Sequence, residues 1–268
     1  MIRMQPQGRV LIIAGSDSGG GAGIQADIKT VSALGGYAMT AVTALTAQNT
    51  LGVHAVHSAP PDFVAAQISC VLEDLGADVV KTGMLGGAAV IAAVCAALEG
   101  RGLPLVLDPV MVAKGGASLL AEEAIAHLKR RLLPLASLLT PNLPEAEALC
   151  GMRISTEAEM HHAAEALLTL GVPAVLLKGG HLPGDDLVDL LVTDVETITF
   201  RSRRIATRHT HGTGCTLGSA IATYLAQGRS LPDAVSVARD YVRAAIETAP
   251  GLGQGHGPLN HLVWQTNG

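Results

Sequence analysis

Short apolar runs alternate with longer stretches of helical spacing along most of the chain, the rhythm of strand–helix units with buried strands. Val10–Ala14 is continuously apolar, stops at Gly15 and is read as a strand. Ile24–Leu34 follows as a helix with Ile24, Ile28, Val31 and Leu34 on one side. Further strands are expected at Ala41–Ala47, Asp78–Lys81, Leu105–Leu107, Ser137–Thr140 and Ala174–Leu177, with a last pair, Leu187–Val192 and Thr197–Phe200, joined near Asp194. Helices are expected at Pro61–Leu75, with Phe63, Ile68, Val71, Leu72 and Leu75 inward, and at Ala88–Leu98, Leu119–Leu133, Glu157–Leu170, Cys215–Ala226 and Pro232–Ala249. A glycine-rich tail, Gly251–Pro258, comes last. Without an internal repeat or a break in composition, residues 1–268 are read as one α/β domain.

Composition sharpens this picture. At 268 residues, 49% hydrophobic and only 15% charged, the chain can bury a large core. Aromatics make up 2%, so Ala, Val, Leu and Ile must pack it. A net charge of −5 with no Lys/Arg block argues against nucleic acid as a partner. The longest apolar segment, Ala88–Leu98, is too short to span a bilayer, and Met1–Gly8 is polar, unlike a signal peptide. Cys70, Cys95, Cys150 and Cys215 are scattered and form no C-x-x-C pair, which suggests reduced thiols in a cytoplasmic protein.

Candidate chemistry collects where strands give way to loops, the usual ligand edge of an open α/β sheet. The stretch His209-Thr210-His211-Gly212-Thr213-Gly214-Cys215 is a glycine turn opening a helix, whose first amides and dipole suit an anion. A plain tight turn is an equal reading of those residues alone. The loop Gly15–Gly23 holds five glycines before a helix that carries Asp27, either a ligand group or a charge placed near a helix N-terminus. Gln48 ends a strand and can pair with a heterocycle edge or cap a turn. Met84 is core filler or a soft platform for a flat ring. Asp108 can hold metal-bound water or cap its loop. Asn142 and Glu145 match a capping box, yet Mg²⁺ would use the same oxygen donors. Lys178, followed by two glycines, suits a phosphate. His209 and His211 are spaced for a metal but lack further ligands in view.

Seven segments occur together and in order: AGSDSGGGAGIQADIKT, TALTAQNT, KTGML, LDPVM, LTPNLPEAEAL, LLKGGH and THGTGCTLGSAIA. With them the chain closely resembles the hydroxymethylpyrimidine/phosphomethylpyrimidine kinases of thiamine biosynthesis, in the ribokinase-like superfamily. That resemblance implies a central, mostly parallel sheet with helices on both faces. It implies ATP-dependent phosphorylation of 4-amino-5-hydroxymethyl-2-methylpyrimidine, then of its monophosphate, in a cytoplasmic homodimer. By motif match, Gln48 would bind the pyrimidine edge, Met84 and Val110 would pack on the ring, and Gly15 and Asp27 would sit beside it. Gly212, Thr213, Gly214 and Cys215 would form the anion hole, with Cys215 as general base, its thiol activated by the helix N-terminus. Lys178, Thr210 and His211 would meet ATP, and Asp108, Asn142 and Glu145 would hold Mg²⁺. A pyridoxine or pyridoxal kinase, and a non-catalytic binding protein on the same scaffold, are the competing readings.

Overall fold

The computed structural model describes residues 7–111 and 121–264. The polar N-terminal segment up to Pro6 and the first two residues of the helix expected from Leu119 lie outside the described residues. Strand β1 (Arg9–Asp17) leads through the glycine loop into α1 (Gly23–Ala33), then β2 (Tyr37–Asn49), β3 (Gly52–Ser58), α2 (Pro61–Asp74), β4 (Val79–Thr82), α3 (Ala88–Leu98) and β5 (Leu105–Leu107). Next come α4 (Glu122–His127), β6 (Leu138–Leu139), α5 (Leu143–Cys150), α6 (Glu157–Leu168), β7 (Ala174–Lys178), β8 (Asp186–Thr193), β9 (Thr197–Arg203), α7 (Thr213–Ala226) and α8 (Leu231–Glu247).

The strands form one sheet in the order β3-β2-β1-β4-β5-β6-β7-β8-β9. From β2 to β7 all pairings are parallel; β3, β8 and β9 are antiparallel. Successive strand residues point to opposite faces, so β1 splits its side chains between two cores. Leu11 and Ile13 pack with the α2–α6 layer, while Val10, Ile12 and Ala14 pack with α1, α7 and α8. The expected α/β class, with helices on both faces of a mostly parallel sheet, is what the chain forms. Among the described residues no helix is long and apolar enough to cross a membrane.

Several local expectations change. The strand expected at Ala41–Ala47 continues to Asn49 and turns into β3, so Gln48 sits inside a hairpin strand rather than beyond one. Phe63 and Leu75 are exposed; α2 packs inward through Val64 and Ile68, because those positions share the stripe that meets the sheet. Ile28 is likewise exposed, and α1 buries Ala26, Asp27, Thr30 and Val31. The single helix expected through Leu133 is α4 followed by a wider π-type turn, Leu128–Leu132, and a tight 3₁₀ turn, Leu133–Leu135, that accommodates Pro134. The glycine-rich tail packs back on the hairpin, where the His256 amide donates to the Thr50 carbonyl at 2.8 Å.

Candidate active site

Because β1, β4, β5, β6 and β7 run parallel, their carboxyl ends deliver Ser16, Thr82, Asp108, Asn142 and Lys178 to one edge of the sheet. A cleft of about 640 Å³ opens there. It is lined by every site residue expected from the sequence except Asp27.

One end is a mostly apolar wall around Gly15, Met84 and Val110. The Met84 methyl lies where a side chain on Gly15 would stand, so glycine there lets Met84 reach across the wall in this position. The Thr43 hydroxyl donates to the Met84 carbonyl at 2.6 Å and fixes the loop, and Val110 adds an apolar wall. Gln48 reaches in from β2. Its Oε1 is 3.1 Å from the Thr46 hydroxyl, whose single proton has a shorter acceptor in the Ser16 carbonyl, 2.9 Å away. Its Nε2 is 3.3 Å from His211 Nε2. That imidazole nitrogen also lies 2.9 Å from the buried Asp17 carboxylate, so its proton goes to Asp17. The Gln48 amide is therefore only weakly engaged by the protein and keeps hydrogen-bonding capacity for a heterocycle.

Asp17 organises this end. Its carboxylate accepts from the amides of Gly19, Gly21 and Ala22 at 2.8, 3.1 and 2.8 Å, besides His211. Burial alone would raise its pKa, but the His211 contact and the Ala22 and Gly19 amides outweigh burial and hold it below the usual value. The sequence reading passed over Asp17. The available signal was an Asp just before a Ser-Gly-Gly-Gly run, the residue type that folds loops back through their own amides. His211, expected at the nucleotide, stands with Asp17 and Gln48 at the ring end; Thr210 lines the cleft beside it.

The other end brings the start of α7 together with charged side chains. Gly212 takes φ +83°, and a Cβ there would run into the Gly21 carbonyl, so only glycine joins the two loops at this crossing. It starts α7 with no side-chain cap and no acidic residue in the first turn, leaving the Gly214 and Cys215 amides to face the cleft while the Thr213 amide makes a long contact to the Thr210 carbonyl. Lys178 Nζ lies 3.2 Å from Asp108 Oδ1. Burial works against the lysine's charge, but Asp108 and Glu145 outweigh it and hold Lys178 protonated. Asn142 caps α5 by accepting from the Glu145 amide at 2.9 Å, while Glu145 Oε2 accepts from the Asn142 amide at 2.9 Å. Burial, then neighbouring Asp108, push the Glu145 carboxyl up to about 7, with Lys178 pulling the other way. Two buried carboxylates in one pocket favour a cation between them.

Two expectations need correction. Asp27 does not touch the cleft. It is fully buried beneath it, paired with Lys81 Nζ at 2.9 and 3.0 Å and accepting from the Ser219 hydroxyl at 2.7 Å. Its helix turns that face onto β4, which apolar periodicity had assigned to Ile24 and Ile28. Cys215 keeps part of its surface on the cleft, yet burial pushes its thiol up to about 11. Lys81 and the Gly23 amide pull it down, Asp27 and Asp108 up. Burial thus dominates, and the resting group is a thiol rather than a thiolate. Lys81 was missed as well. Its only signal was a charge inside the apolar run Val79-Val80-Lys81-Thr82.

Comparison with known proteins follows this geometry. The family model described as phosphomethylpyrimidine kinase matches residues 17–260. The chain is 56% identical over 259 residues to the thiamine biosynthesis bifunctional protein ThiED of Geobacter sulfurreducens, covering 96% of this chain and 53% of that protein, about half its length. It is 49% identical over 261 residues to the hydroxymethylpyrimidine/phosphomethylpyrimidine kinase of Bacillus subtilis, covering 97% and 96% of the two chains. The crystal structure of the Bacillus subtilis pyridoxal kinase in complex with ADP superposes with a TM-score of 0.89 at 35% identity, covering 97% of this chain and all of that one.

Proposed function

The chain belongs to the phosphomethylpyrimidine kinase family, and from that premise we propose that its cleft transfers the γ-phosphoryl group of ATP to the hydroxymethyl group of 4-amino-5-hydroxymethyl-2-methylpyrimidine, and then to the resulting monophosphate. One observation carries this reading: a single cleft holds an under-used Gln48 amide and the Met84 platform at one end and the uncapped start of α7 with Lys178 at the other.

The roles follow from what phosphoryl transfer demands, which is positioning and neutralisation of charge more than covalent chemistry. Gln48 reads the ring edge, and Met84 and Val110 hold its faces. Gly214 and Cys215 present backbone amides to the oxygens of the moving phosphoryl group. Lys178 places a charge on the nucleotide phosphates, with Thr210 beside them. Asp108, Glu145 and the Asn142 side chain supply the oxygen donors that suit Mg²⁺, which when bound would neutralise phosphate charge. Among the described residues no cluster of three His, Cys, Asp or Glu forms a cage, in keeping with an ion held by one or two carboxylates and the substrate itself. Cys215 faces the substrate hydroxyl as its hydrogen-bond partner. With its resting group a thiol, it would accept the hydroxyl proton only in its minor thiolate form, the thiol proton having first passed to solvent. We further propose that the chain works as a cytoplasmic homodimer and forms one domain over 1–268.

Phosphorylation of pyridoxal is the second reading, favoured by the likeness to the Bacillus subtilis pyridoxal kinase. A coupled ADP-release assay with Mg-ATP and the pyrimidine, its monophosphate or pyridoxal tests both. Turnover of both pyrimidines is expected. Turnover of pyridoxal alone would overturn the first reading.

A further inference from the structure

Among the described residues Lys81 is the largest charged side chain with no exposed surface, and it lies in a central strand, in register with Ile12 on one side and Val106 on the other. Nothing about the sheet asks for a cation there. A buried ion pair rarely adds stability over an apolar pair of the same volume, since desolvation consumes the attraction. Its surroundings point elsewhere. The Asp27 carboxylate joins three elements, accepting from Lys81 on β4 and Ser219 on α7 while sitting on α1. Ser219 lies one helical turn beyond Cys215, so the tie fixes the rotation of α7 where its amides meet the cleft. α7 packs directly over the lysine, and a Cβ on Gly218 would stand in ordinary contact, 3.4 Å from Lys81 Cε. A Cβ on Gly83, a residue of the cleft wall, would stand 3.2 Å from Lys81 Nζ. The ammonium is therefore directly behind that wall.

We propose that Lys81 is a positioning residue for the transfer step: held by Asp27, whose carboxylate also binds Ser219 of α7, its buried ammonium locks the start of α7 and sets a fixed positive charge beneath the anion-binding end of the cleft. This rests on the phosphoryl-transfer reading of that cleft. The pair is oriented for the task, because at Cys215 the influence of Lys81 exceeds that of Asp27, so the positive end faces the anion-binding turn. Behind a dry wall such a charge needs no reorganisation as negative charge gathers on the phosphoryl oxygens.

The test replaces the pair with apolar groups of similar volume, Lys81→Met together with Asp27→Leu, and measures melting temperature, KM for both substrates and kcat. A purely structural pair predicts a folded protein with kcat within about twofold of wild type, and that result overturns the inference. The proposal predicts a folded protein with little change in either KM and a kcat lowered about tenfold or more. Should the double variant fail to fold, Ser219→Ala decides. It leaves the ion pair in place but frees α7 from it, and kcat should fall at least about threefold with KM unchanged. An unchanged kcat in Ser219→Ala overturns the inference. An inactive wild type under the same assay would instead overturn the phosphoryl-transfer reading beneath it.

Discussion

His211 Nε2 stands 2.9 Å from Asp17 Oδ2 across 194 positions of sequence, and this contact joins the loop after β1 to the turn before α7. The same carboxylate gathers three loop amides. Asp17→Ala would leave the buried Gly21 amide and the His211 ring without their acceptor and should cost about 1–3 kcal/mol of stability. It should also raise KM for the pyrimidine about tenfold, because His211 and the loop after β1, which both line that end of the cleft, lose their common anchor, with a smaller effect on ATP. Denaturant melts and steady-state kinetics check both, and an unchanged pyrimidine KM would refute the link. The wild-type carboxyl titrates below its ordinary value of 3.8. Its stabilising contribution is thus complete above that pH and fades as pH falls through the lower folded value.

Cys215→Ser replaces a thiol held up to about 11 with a hydroxyl that is harder still to ionise. If the sulfur takes the substrate proton, kcat should fall by roughly 100-fold or more while the nucleotide Kd stays unchanged. Near-wild-type turnover would leave Cys215 as a shaper of the anion-binding turn alone. Independently, the alkylation rate of wild-type Cys215 should climb with pH toward about 11 rather than level off near neutrality, which a pH series with iodoacetamide and peptide mapping would show.

How much of this was legible in the sequence divides by physical range. Apolar runs such as Leu105–Leu107 and Ala88–Leu98 match the elements formed, because burial on a strand or one helix face is a local demand. The Asn142–Glu145 box was equally plain, since capping is settled within four residues. The hairpin of β2 and β3 was not, because β3 is a mostly exposed edge strand with two histidines and little apolar contrast. Nor were Asp17 and Lys81, whose partners His211 and Asp27 are distant in sequence. The low thiol pKa expected for Cys215 failed for a related reason. A helix N-terminus is visible in sequence, whereas the burial that raises the thiol is a property of the packed molecule.

Glu145 combines two tasks that substitution can separate. Glu145→Gln keeps an oxygen to accept from the Asn142 amide, so α5 should stay capped and the melting temperature nearly unchanged. The variant loses a negative charge beside Asp108, and if these groups hold Mg²⁺ the concentration giving half-maximal activity should rise about tenfold. A magnesium titration of activity measures this directly; an unaltered midpoint would remove Glu145 from the ion site and leave it as a cap.

His261 offers a prediction on stability rather than turnover. It is buried, with its Nε2 3.1 Å from the Thr216 hydroxyl, and lends its carbonyl to the Tyr241 hydroxyl at 2.6 Å, so the C-terminal segment braces the first turn of α7. Burial, with a contribution from Lys29, lowers its pKa from 6.5 to about 4. Between those values the unfolded chain takes up a proton that the folded one refuses, so stability rises with pH across the window and is lost as pH falls through it. The shift corresponds to roughly 3 kcal/mol at full extent. Carboxylates elsewhere add their own acid sensitivity, so the informative quantity is a difference between two proteins. His261→Gln retains a hydrogen-bonding side chain of similar reach but does not titrate. Melting curves of both across this window should converge at the acid end, with the wild type losing more on the way down. Parallel pH profiles would show that His261 is already free to protonate in the folded chain and does not brace α7 as a neutral ring.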